Sequence, residues 1–131
     1  MVVTSRLNHG RIPIEDVPAA IARSDVGLAT TRLDAFTAAS LSTKIFEYAA
    51  MAKPVVAARL PLVEGTFPPD AVRRYEPGKA ESLADQLLAL LDEPAAREAA
   101  VAAAHAIVTE RSWDHDAPAY LELLERFARD R

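Results

Sequence analysis

The run VVAA from Val55 to Ala58 constrains the fold more than any other feature. It is entered through Pro54 and preceded by the helix-patterned stretch LSTKIFEYAAMAK. A strand that is apolar at every position has both faces covered, which marks a parallel sheet rather than an antiparallel one. Parallel neighbours need a long crossover, usually a helix. The chain is therefore expected to be α/β, with helix and strand alternating.

The rest of the chain is read against that expectation. Val2 to Leu7 predicts a short strand, and NHGRIP predicts a turn punctuated by Gly10 and Pro13. A helix capped by Glu15 or Asp16, with Pro18 in its first turn, is predicted to end near Ser24. Asp25 to Thr30 predicts a short buried strand. The polar-leaning TRLDAFTAAS is a long loop for a strand-to-helix connection, which usually takes ~2–6 residues. A helix is predicted from about Ser42 to Ala52 and a strand over Val55 to Ala58. LPLVEGTFPPD reads as a loop, and VRRYE as a short edge strand. Leu83, Leu87, Leu90 and Leu91 then recur at helical spacing, and Pro94 opens an alanine-rich helix. Trp113, Ala117, Tyr120, Leu124 and Phe127 form a helical stripe whose plainest role is packing. Pro118 within it predicts a helix that begins at Asp116 or is kinked.

This amounts to a partial Rossmann-like parallel sheet of about four strands flanked by helices, with a helical C-terminal tail. Residues 1–78 form the sheet part and residues 79–131 the closing helices.

Composition narrows the function. The chain has 131 residues, one ordinary domain, and 50% are apolar, enough for a core. With 15 basic and 19 acidic residues the net charge is −4, so no basic excess points to nucleic acid or an anionic membrane. There is no cysteine, which excludes disulfides and thiolate metal sites. No signal peptide or membrane span is read, and a cytoplasmic setting is expected. His9, His105 and His115 lack the spacing of metal ligands, so neither metal nor cofactor is expected. Asp114 and Asp116 read as helix caps. Asp25 reads equally well as a partner of Lys44 or as a site residue.

The polar start of the central helix carries the functional question. Ser42, Thr43, Lys44 and Glu47 stand in an otherwise apolar stretch. No capping box explains Glu47, because the residue three before it is Lys44. A surface pair between Lys44 and Glu47 is one explanation, worth ~0.3 kcal/mol. The other uses position. Ligands of parallel α/β sheets bind beyond the carboxyl ends of the strands, at helix N-termini whose amides suit a phosphate. A carboxylate one turn further in suits the hydroxyls of a ribose. Pattern alone leaves both open.

STKIFEYAAMAKPVVAA resembles the donor-site motif of the group-1 glycosyltransferases, retaining enzymes of the GT-B fold. HGRIPIEDVPAAIARSDVGLAT is similar to the segment upstream of that motif, and the tail from LADQLLALL to YLELLERF is similar to the family's closing helices, including a Ser-Trp pair. The resemblance implies the C-terminal, donor-binding half of a GT-B fold. It implies that Glu47 binds the donor ribose, as the second Glu of a Glu-x7-Glu motif whose first position is Ala39 here. It further implies that Ser40, Leu41 and Ser42 face the sugar and diphosphate, and that Thr43 and Lys44 meet a phosphate. Ile12, following Gly10 and Arg11, is implied to pack on the nucleobase.

The partner so implied is a nucleotide sugar, with no metal. No counterpart is found for the N-terminal domain or for the opening strands that carry phosphate-binding cations in the family. The chain is therefore expected to be part of a larger enzyme, a partial gene product or one half of a split one, inactive by itself and prone to self-association through an open sheet edge. The alternative is a non-catalytic interaction domain on the same fold. A phosphoacceptor domain is disfavoured because no acidic cluster is seen at the strand ends.

Overall fold

The computed structural model describes residues 10–129. The strand expected over Val2 to Leu7 lies outside these residues, as does His9. A 3-10 turn at Ile14–Asp16 leads into α1 (Val17–Ala22), with Pro18 in its first turn as expected. Asp16 stands at the N-cap position but makes no side-chain capping bond, so the cap is not what holds this helix. β1 (Gly27–Ala29) follows, then a 3-10 turn at Thr37–Ala39, α2 (Thr43–Ala50) and β2 (Val55–Ala58). α3 (Pro61–Thr66), β3 (Arg73–Tyr75), α4 (Ala80–Asp92), α5 (Pro94–Glu110) and α6 (Trp113–Arg129) complete the chain.

The three described strands form one parallel sheet in the order β1-β2-β3. β2 is central, and all four of its residues are buried, as its unbroken apolar run required. Register fixes which side chains share a face. Gly27, Val55, Ala29 and Ala57 lie on one face with Arg74, while Leu28, Val56, Ala58, Arg73 and Tyr75 lie on the other. α2 covers the first face so closely that a Cβ at Gly27 would run into the ring of Tyr48. Only glycine allows that approach.

α4 covers the other face. Arg73 reaches Glu93 just past its C-terminal end at 2.8 Å, and Tyr75 and Leu83 line a common cleft. α5 then passes beneath the amino ends of the strands and packs on both α4 and α2. Ala100, Ala104 and Val108 of α5 are buried there. The core is one cluster built on β2, with Ile45 and Ala49 of α2, Val63, Phe67, Val72 and Leu90.

Two expectations are corrected. LPLVEGTFPPD is not all loop, because Pro61–Thr66 is helical. Pro61 occupies the first turn, where a missing N–H costs nothing. One helical turn then sets Val63 and Phe67, both buried, on the same side. The second correction concerns the tail. α6 begins at Trp113, with Ser112 accepting the amide of His115, so neither Asp114 nor Asp116 is its cap, and Pro118 lies inside the helix. Nor is its stripe packed. No residue of α6 is buried, and Trp113 is 64% exposed, with Tyr120, Leu124 and Phe127 also exposed. Trp113 and Tyr120 touch only edge to face, 5.5 Å between centroids. The stripe forms an open apolar patch instead of joining the core.

The chain reverses sharply after α2. Ala52 takes φ 53°, while the amide of Lys53 donates to the Tyr48 carbonyl and that of Ala52 to the Ala49 carbonyl. Those two bonds define a Schellman turn, whose left-handed residue is usually glycine. Lys53 then extends its ammonium group to the carbonyl of Ala22 at 2.8 Å, tying α2 to the end of α1.

Candidate functional site at the carboxyl rim

The carboxyl ends of the strands open onto the loops that begin at Thr30, Arg59 and Glu76. The long loop after β1 is ordered by one residue that sequence reading passed over. Asp34 accepts the amides of Phe36 at 2.9 Å and Thr37 at 2.8 Å, and the Thr37 hydroxyl at 3.1 Å. These bonds to Thr37, with that to Phe36, hold its carboxyl below the ordinary value of 3.8. The signal was present as Asp followed three residues later by Thr, an Asx-type local cap.

That loop delivers Ser40, Leu41 and Ser42 to the start of α2. Ser42 is the N-cap residue, with extended backbone, yet its hydroxyl makes no capping bond. The Ile45 amide donates to the Ser42 carbonyl, so Thr43 and Lys44 precede the first bonded amide of the helix. They are two of the donors that a helix start leaves unsatisfied. Ile45 and Ala49 turn inward, while Thr43, Lys44 and Glu47 are exposed. Glu47 lies four residues from Thr43 on one flank, ~6 Å along the helix axis. Its charge, after burial, adds to the upward shift of the neighbouring Tyr48 phenol.

Lys44 and Glu47 form no ion pair among the described residues, which removes the surface-pair explanation. The Asp25–Lys44 pair is not formed either. Asp25 stands at the amino end of β1 and Lys44 above its carboxyl end, so the sheet separates them.

Ser40 to Glu47 are thus contiguous at the rim. Arg11 and Ile12 sit on the segment before the first 3-10 turn, both exposed, and share no described hydrogen bond with α2. Further along the rim, Glu64 bridges Arg59 at 3.6 Å and Arg74 at 3.1 Å, and Glu76 takes the Nε of Arg59 at 2.9 Å. This network fastens α3 to the ends of β2 and β3. Among the described residues no His, Asp or Glu cluster could hold a metal.

A cavity of about 610 Å³ lies at the opposite, amino edge between α5 and residues 24–26 and 52–54. His105 beside it donates from Nδ1 to the Ala49 carbonyl at 3.1 Å, a structural bond between α5 and α2. Ligands of parallel α/β sheets bind at the carboxyl edge, on the side opposite this cavity.

The profile of a family described as glycosyl transferase-like matches residues 4–122. The chain belongs to that family. Its fold is also similar to sucrose-phosphate synthase from Thermosynechococcus elongatus, with a TM-score of 0.79 and 18% identity. The alignment covers 93% of this chain and 30% of that one, so the chain spans less than a third of that structure's length. No curated protein matches the sequence. The parallel half-sheet with helices on both faces agrees with the Rossmann-like half of a GT-B fold that the group-1 resemblance implied. No helix among the described residues is long and apolar enough to cross a membrane.

Proposed function

We propose that this chain is the donor-binding part of a retaining glycosyltransferase that uses a nucleoside diphosphate sugar. The observation that carries the reading is the start of α2, where Ser42 leaves the Thr43 and Lys44 amides uncapped while Glu47 stands exposed and unpaired on the same flank. The amides and the Lys44 ammonium would receive the diphosphate and stabilise its charge as it leaves. Glu47 would accept the two ribose hydroxyls, each bond worth ~1.5–3 kcal/mol. Ser40 and Leu41 would face the sugar, and Arg11 and Ile12 the base.

Calorimetric titration with uridine and guanosine diphosphates tests this. Glu47→Ala is expected to weaken binding at least about tenfold with an unchanged melt, and Glu47→Gln to weaken it less. Intact affinity in Glu47→Ala, or an unfolded variant, overturns the role.

Transfer itself needs an acceptor side that this fold part does not supply, so the 131-residue chain is expected to be inactive by itself. Turnover of a nucleotide sugar above a Glu47→Ala control would show otherwise. The exposed stripe of α6 favours a second reading, a non-catalytic interaction domain. Failure of both nucleoside diphosphates to bind would favour it.

A further inference from the structure

A second cleft lies on the same rim but on the α4 face of the sheet, away from α2. It encloses about 280 Å³ between the end of β1 and the start of α4, and is lined by Thr30, Thr31, Arg32, Tyr75, Lys79 and Leu83 among others. Arg32 and Lys79 bring two cations to it, and neither has an ion-pair partner among the described residues. None of the lining residues is acidic. The nearby Glu76 is held by Arg59, and Glu81, in the first turn of α4, lies outside the lining.

Three hydroxyls join the cations. The most telling belongs to Tyr75, which is only 6% exposed and whose hydroxyl has no hydrogen-bond partner among the described residues. Yet no buried polar side-chain atom is left unsatisfied there, so the phenol oxygen is open to the cleft that its residue lines. The ring is thus fixed by packing while its hydroxyl stays available, as donor or acceptor, to a molecule in the cleft. The backbone adds to this. Gly78 takes φ 80°, and α4 starts at Ala80 with no side-chain cap on its first amides.

We propose that this cleft binds a phosphate group, held by Arg32, Lys79 and the Tyr75 hydroxyl at the head of α4. The chemistry is that of a compact dianion. A planar guanidinium and an ammonium supply charge, hydroxyls supply donors, and the uncapped helix start adds its dipole. The volume suits a phosphate or a small phosphorylated molecule rather than a nucleotide. This inference does not depend on the donor site, which lies on the other face.

The test is an amide-resolved titration of the 131-residue chain with inorganic phosphate, followed by glucose 6-phosphate against glucose. Saturable shifts are expected at Thr31, Arg32, Gly78 and Ala80 with phosphate and with the phosphate ester, and none with glucose. Tighter binding of the ester identifies a phosphorylated small molecule as the natural occupant, and equal binding identifies free phosphate. Arg32→Gln and Lys79→Gln are each expected to weaken binding by about tenfold or more. Arg126→Gln removes the same charge on α6 and is expected to leave binding unchanged. Absence of saturation, equal weakening by Arg126→Gln, or shifts confined to Thr43 and Lys44 would each overturn the proposal. The last result would leave the donor reading standing.

Discussion

α2 and α6 are both amphipathic helices, and they have opposite fates. α2 has eight residues, and its apolar side is sealed against β1, β2 and α5. α6 has seventeen residues with a longer stripe, and buries none of them. What separates the two is not pattern but what lies opposite. α2 faces Gly27, whose missing side chain lets the Tyr48 ring sit against the strand, and Phe46 of α2 meets Phe67 at 5.4 Å. α6 follows the last element of the core and is packed into no face among the described residues. A helical stripe says that a surface needs covering. It does not say that the same chain covers it.

The comparison can be broken most directly at Phe67, which has no exposure and closes the α2 side of the core. Phe67→Ala is expected to cost about 3–5 kcal/mol in chemical denaturation, the range for emptying a buried aromatic site. A smaller effect follows from the end of α2. Ala52→Gly relieves a left-handed alanine and should raise stability by about 0.5–1 kcal/mol, after the greater freedom of unfolded glycine is allowed for. A loss of stability would mean that Ala52 supports α2 through packing rather than tolerating a strained turn. Smallest of all, Phe127→Ser on α6 should change the midpoint by no more than about 0.5 kcal/mol in the monomer. A cost near that of Phe67→Ala would show that α6 is packed in solution and erase the contrast.

Sequence and structure agree where one residue type has one physical solution. VVAA after Pro54 reads as an interior parallel strand and is one, and Pro94 opens a helix as expected. The polar start of α2 was legible because its residues break an apolar pattern. Three features were not, each for a definable reason. Pro61 and Gly65 disguised α3 as loop, because punctuation outweighed the Val63–Phe67 spacing. Asp34 was read as loop polarity, since its capping role depends on the fold of that loop. Arg32, Tyr75 and Lys79 are far apart in sequence and meet only because β1 and β3 flank the same central strand. No local pattern could have joined them. The Asp25–Lys44 pair, one of the two readings of Asp25, is absent for the matching reason, since chain proximity says nothing about which edge of a sheet a residue reaches.

β2 has neighbours on both sides and no exposed residue, while both flanking strands are only three residues long. Its amides therefore have no local route to solvent. They can exchange with water only when the whole sheet comes apart, whereas those of α6 can exchange through fraying of that helix alone. The slowest deuterium uptake should map to Val56 and Ala57, which would make this one strand a direct gauge of the global free energy of the domain. Ligands bound at the rim would then slow exchange in β2 by an amount that tracks their affinity, even though none of them touches it.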